Sequence, residues 1–157
     1  MLDLVHRFKY GRQLHLSHVM GKMMAHALFD FPELTIARLE KWPVIPVPLH
    51  PKKQRQREFN QSEELARSVA KFSPRPLWKC IRRVAATNVQ ASLSREARFD
   101  NVRQAFALRR GWERKIRGGS FLLIDDVFTT GATTGACARV LRKAGAEKVV
   151  VLTFARA

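Results

Sequence analysis

Hydrophobic positions along the chain alternate between two periods. Leu16, Met20, Met23, Met24, Ala27 and Leu28 recur at helical spacing, which predicts a helix over 13–29 that stops at Pro32. Leu2, Val5 and Phe8 share a face of a separate turn over 2–8, and Gly11 breaks the two apart, so 1–30 reads as a helical segment. After Trp42-Pro43 the run Val44-Ile45-Pro46-Val47-Pro48-Leu49 predicts a short apolar strand, irregular because proline cannot donate to a ladder. A basic loop, Lys52 to Arg57, follows. Asn60 with Glu63 three residues on resembles a capping box, ahead of a helix with the stripe Leu65, Ala66, Val69, Ala70 and Phe72.

The second half repeats the alternation. A strand is expected around Leu77 to Val84, an edge strand at Ala105-Phe106-Ala107-Leu108, and a basic turn over 109–119. Between them, 85–104 is polar and aperiodic, a length that in a compact domain marks a functional lid. A buried strand over 120–125 leads to a helix starting near Thr133 or Thr134, with Ala136, Cys137, Val140, Leu141 and Ala144 on its apolar face and Gly145 at C′. Glu147 to Phe154 is a final strand. Strands alternating with helices predict a single α/β domain over 1–157, a mainly parallel Rossmann-like sheet flanked by helices.

The chemistry concentrates where the buried strand ends. Asp125 and Asp126 fall at its carboxyl end, where open α/β sheets bind ligands. Thr129-Thr130-Gly131-Ala132-Thr133 then leads into a helix whose first N–H groups have no intrahelical acceptor. Carboxylates for sugar hydroxyls thus lie beside a cradle for a phosphate, and a sugar phosphate needs both. An acid pair after an apolar run also occurs in metal-binding receiver domains, but the threonine-rich loop adds phosphate donors. No Gly-Lys-Ser/Thr follows Gly131 and no G-x-G-x-x-G opens a helix, which excludes a P-loop and a dinucleotide fingerprint.

Composition adds one bias. The 157 residues carry a formal net charge of +16, which favours anionic partners: phosphorylated metabolites, pyrophosphate or nucleic acid. The basic runs 52–57 and 109–117 could form a nucleic-acid face, though only Phe59 and Trp112 are at hand for stacking. Cys80 and Cys137 are too far apart in sequence for a C-x-x-C pair, and His15, His18 and His26 lack metal-site spacing. No apolar run is long enough to span a membrane and no signal-peptide core follows Met1, so the cytoplasm is the expected location.

The run Leu123 to Thr133 resembles the phosphoribosyl-pyrophosphate signature of the type I phosphoribosyltransferases. Val44 to His50, Arg57-Glu58-Phe59-Asn60-Gln61 and the set Gln90, Leu93, Arg98, Asn101, Val102 and Phe106 narrow the resemblance to the ComF/GntX competence-protein family. It implies the type I phosphoribosyltransferase fold, with 85–104 as the flexible hood loop. It implies that Asp125 and Asp126 accept hydrogen bonds from the ribose hydroxyls, and that Thr129, Thr130, Gly131, Ala132 and Thr133 wrap the 5′-phosphate. Val47, Pro48, Leu49 and His50 would touch the pyrophosphate, and Arg57, Arg95 and Arg98 would grip it. Mg²⁺ would be held by the substrate near the two acids rather than by a protein cage. The implied activity is phosphoribosyl transfer, in DNA uptake and utilisation or in nucleotide metabolism. The alternative is a non-catalytic accessory protein that binds single-stranded DNA, or DNA-uptake proteins, during natural transformation. The acceptor is unreadable, and the oligomeric state is open.

Two departures from the family pattern stand out. A cysteine-rich zinc module usually precedes the helical segment and is missing here, which implies a short form or an internal start. Glu58 replaces a customary glycine and sets a carboxylate beside the expected pyrophosphate site.

Overall fold

Leu122, Leu123 and Ile124 are completely buried, because the strand that carries them is covered on both faces. The computed structural model describes residues 2–10, 15–31, 34–35, 40–49, 59–84 and 105–157. Its elements are α1 (Leu2–Tyr10), α2 (His15–Asp30), β1 (Val44–Pro46), α3 (Gln61–Phe72), β2 (Ile81–Arg83), β3 (Phe106–Leu108), α4 (Glu113–Ile116), β4 (Ser120–Phe128), α5 (Ala132–Lys143) and β5 (Lys148–Arg156).

The main sheet is parallel, in the order β1-β4-β5. At its β1 edge Leu77 adds a parallel bridge to Val44: Val44 N–H donates to Pro76 O and Trp78 N–H to Val44 O, both at 2.8 Å. Side-chain alternation then divides the core in two. Val44, Leu122, Ile124 and Phe154 face α1, α2 and α3, where Phe8, Met20, Leu28 and Leu65 are buried. Ile45, Val47, Phe121 and Leu123 face α5, α4 and the β2-β3 pair, where Cys137, Leu141, Ile116, Ile81 and Phe106 are buried. Each fully buried side chain of this size contributes about 1.5–3 kcal/mol, so β4, buried on both faces, anchors the fold.

Connectivity positions the site. From β1 the chain passes through α3 to the Leu77 edge. From β4 it passes through α5 to the opposite edge. Adjacent central strands whose connections leave in opposite directions define a topological switch point, and a crevice opens between their carboxyl ends.

Several expectations change. The turn over 2–8 is a full helix, α1. The strand expected around Leu77 to Val84 is two pieces in two sheets. Leu77 joins β1, while β2 pairs antiparallel with β3 in a separate two-stranded sheet. That hairpin is extended at both ends, by Arg109 N–H to Cys80 O (2.7 Å) and Val84 N–H to Ala105 O (2.8 Å). The basic turn over 109–119 contains the short helix α4. The capping box does not form: the Asn60 side chain caps no N–H of α3, and its Nδ2 donates instead to Val47 O (3.1 Å). Glu63 is ion-paired with Lys79 and Arg67. The hood segment 85–104 lies outside the described residues.

Candidate functional site

β1 ends at Pro46 opposite Ile124, and Val47 N–H makes a last bond to Ile124 O (3.0 Å). β4 continues past that point, because β5 accompanies it with Asp125 opposite Thr153 and Phe128 opposite Arg156. The acids are therefore not the last strand residues, as the 120–125 boundary implied. They lie just beyond the end of β1, on the open side of the switch point. Thr129, Thr130 and Gly131 then turn the chain into α5, which starts at Ala132, one or two residues before the expected Thr133 or Thr134.

The turn depends on glycine. Gly131 adopts the left-handed conformation (φ 72°), and a Cβ there would come within 2.7 Å of Phe128 Cζ. Thr134 Oγ1 donates to Gly131 O (3.2 Å), and Ala132 N–H donates to Thr130 Oγ1 (3.4 Å). Gly135 N–H makes the opening helical bond to Gly131 O (2.8 Å), so the first turn of α5 presents N–H groups that the helix itself does not use.

A cavity of about 340 Å³ occupies the switch point. Val47, Pro48 and Leu49 line it from the β1 side; Asp125, Asp126, Thr129 and Thr133 line it from the β4 side. The structure thus gathers these seven expected residues around one space. Thr130, Gly131 and Ala132 form the turn and helix start beside it without lining it. His50, Arg57, Glu58, Arg95 and Arg98 lie outside the described residues.

Four further residues line the same cavity: Gln61 and Ser62 from α3, Arg83 from β2 and Val127 from β4. Ser62 Oγ donates to Asp125 Oδ1 (2.7 Å), which also accepts the Asp126 N–H (3.0 Å), so the first acid is held from two sides. Gln61 is 2% exposed, and its Nε2 has no hydrogen-bond partner. A buried amide donor without an acceptor costs about 1–3 kcal/mol, which makes it a candidate for a ligand oxygen. Its signal was present in the helical pattern: Gln61, Leu65 and Val69 are spaced by four, so a polar residue stands on the buried stripe. The capping-box reading hid it. Arg83 also packs over the Phe106 ring (5.1 Å to its centroid), and burial lowers its guanidinium pKa.

Both nearby thiols are buried, which favours the protonated form over the nucleophilic thiolate. Burial pushes the Cys137 thiol well up, reinforced by the negative charge of Asp125, and burial raises Cys80 to about 12. Among the described residues, no group of three or more His, Cys, Asp or Glu side chains could hold a metal ion, and no helix is long and apolar enough to cross a membrane. The arrangement suits non-covalent capture of a polyhydroxylated phosphate, with acceptors on one wall and threonines and a helix start on another.

No family model matches the chain. Competence protein F of Haemophilus influenzae is 31% identical over 155 residues, covering 98% of this chain and 67% of that protein. DNA utilization protein YhgH of Escherichia coli O157:H7 is 29% identical over 155 residues, covering 98% of this chain and 66% of its own length. The chain therefore spans about two thirds of the length of these relatives. Among solved structures, the allosteric regulatory enzyme of purine biosynthesis is similar with a TM-score of 0.55 at 18% identity, over 88% of this chain and 26% of that one. The fold is that of the type I phosphoribosyltransferases. At 31% identity over nearly its whole length, the chain belongs to the competence protein F (ComF/GntX) family.

Proposed function

We propose that the switch-point cavity binds phosphoribosyl pyrophosphate and that the protein is a phosphoribosyltransferase serving DNA uptake and utilisation. The observation that carries this reading is one cavity of about 340 Å³ lined by both acids, Thr129 of the turn, Thr133 of the first helical turn and the Pro48-Leu49 loop. Asp125, braced by Ser62, and Asp126 accept the ribose hydroxyls. Thr129, Thr133 and the opening N–H groups of α5 receive the 5′-phosphate. Pro48 and Leu49 border the pyrophosphate, and Arg83 supplies positive charge on the facing wall.

The fold family implies Mg²⁺. Two carboxylates fit an ion that keeps ligand oxygens and water as most of its shell, and Asp125 and Asp126 are the residues that would hold it. Bound there, Mg²⁺ would neutralise charge on the departing pyrophosphate. The chain's own contribution is to orient the sugar, exclude water and stabilise developing charge, with no covalent nucleophile required.

Calorimetry of phosphoribosyl pyrophosphate against ribose 5-phosphate, with and without Mg²⁺, tests the pocket. Release of pyrophosphate with a panel of bases and amines tests the reaction. The double change Asp125→Asn with Asp126→Asn should abolish both signals, and activity that survives it would reject the site.

The net charge of +16 and the names of the relatives favour a second reading, an accessory protein that holds single-stranded DNA. Binding would then weaken steeply with salt as counterions are released, and no binding at low salt would remove this reading.

A further inference from the structure

Asn60, at the N-cap position of α3, is 9% exposed. Its Nδ2 is used by Val47 O, but its Oδ1 is buried with no hydrogen-bond partner. Asn60 does not line the acid-bearing crevice. It lines a second cavity, of about 260 Å³, that meets the first along Pro48, Leu49 and Arg83.

The second cavity has the opposite charge. Lys79, Arg82, Arg83 and Arg109 line it, against the single carboxylate of Glu63. That carboxylate is already engaged by Lys79 and by Arg67 (3.0 Å). Arg82 and Arg109 are exposed at the cavity, where their guanidinium groups can present paired donors to phosphoryl oxygens. The wall therefore calls for an anion, and the buried Asn60 oxygen calls for a donor on the same ligand. The volume lies just below that of an ordinary ligand pocket, which limits the occupant to about the size of one nucleotide.

We propose that this cavity is a second ligand site, for a small phosphorylated molecule that also carries an N–H or O–H donor, the chemistry of a nucleoside 5′-monophosphate. Its phosphoryl group meets Arg82 and Arg109, and its donor meets Asn60 Oδ1. The shared wall puts this ligand next to whatever occupies the crevice, so the second site seats a co-reactant or a regulator. The inference goes beyond the ribose-phosphate reading and stands without it.

The test is calorimetry on the full chain with GMP as the probe, alone and with saturating ribose 5-phosphate. Phenyl phosphate at pH 8, a dianion with no donor, is the control. Arg82→Gln with Arg109→Gln should weaken GMP binding by roughly tenfold or more, since hydrogen bonds between charged groups are lost. Both side chains are exposed, so the thermal transition should not move. Ribose 5-phosphate should still bind that variant, should not displace GMP, and should be the ligand lost in Asp125→Asn with Asp126→Asn. Phenyl phosphate should bind at least about tenfold more weakly than GMP. Four results overturn the proposal: no GMP binding, GMP binding indifferent to the arginine changes, displacement of GMP by ribose 5-phosphate, or equal affinity for phenyl phosphate. If wild-type protein ignores ribose 5-phosphate while GMP binding depends on Arg82 and Arg109, the crevice reading fails and this one survives.

Discussion

At the residue scale, Gln61 separates binding from stability. A fully buried amide with an unpartnered Nε2 is a liability in the ligand-free fold and an asset once a ligand oxygen meets it. Gln61→Leu keeps the size and joins the stripe of Leu65 and Val69. The transition temperature should hold or rise, while affinity for ribose 5-phosphate should fall roughly tenfold, the effect of one hydrogen bond to a charged group. Calorimetry and a thermal melt on the same preparation decide it; unchanged affinity would make Gln61 a purely structural residue. Gly131 works the other way, with stability and binding falling together. Gly131→Ala meets a left-handed backbone, costing about 1–2 kcal/mol, and a Cβ at 2.7 Å from the Phe128 ring. Phe128→Ala added to it should relieve the clash but leave the backbone cost, so the double variant recovers part of the lost binding. Full recovery would show that φ does not matter there.

At the element scale, α2 and α3 lie so close that a Cβ on Gly21 would fall 2.3 Å from Ser68 Cβ. Two effects compete in Gly21→Ala. Helix propensity favours alanine by about 1 kcal/mol, whereas overpacking a tight contact costs about 1–3 kcal/mol. Backbone-borne atoms on both sides cannot swing away, so the clash wins and the variant should lose stability in urea titration. Ser68→Gly in the same chain should restore it. Elements were legible in the sequence wherever one period dominated: α2, α5, β4 and β5 lie close to the expected places, and the acids with the threonine turn followed from them. The Leu77–Val84 segment was misread because apolar content cannot say which partner a strand will have; Leu77 joins β1, and Ile81 turns toward Phe106. Ser62 and Arg83 carried no local signal for the site, because their roles come from long-range contacts, Ser62 reaching Asp125 across the fold. Asn60 was visible but assigned to a cap, whereas its side chain binds Val47 O; Gln61 was visible only as part of the segment Arg57 to Gln61, with no role attached.

At the scale of the whole molecule, the two cysteines tie stability to alkaline pH. Cys80 and Cys137 belong to the same buried cluster between the sheet, α5 and the β2-β3 hairpin. Burial is the main cause that raises Cys80 to about 12, and it drives Cys137 up further with help from the Asp125 charge. An unfolded cysteine titrates near 8.5. The folded pKa values are raised and the charged form is the deprotonated one, so the folded state retains protons that the unfolded state releases. The thiols' contribution is then complete below about pH 8.5 and is lost as pH rises toward 12. Across that window each thiol should lower the unfolding free energy by about 1.4 kcal/mol per pH unit. The comparison that isolates the thiols is Cys80→Ala with Cys137→Ala, measured by urea titration at pH 8, 9 and 10. The variant should start lower, because truncation leaves space in the core. Its stability should then fall less steeply with pH than that of the parent. Parallel slopes would mean that the thiols ionise as readily in the fold as in the open chain, which the sealed cluster around Leu123 and Cys137 does not allow.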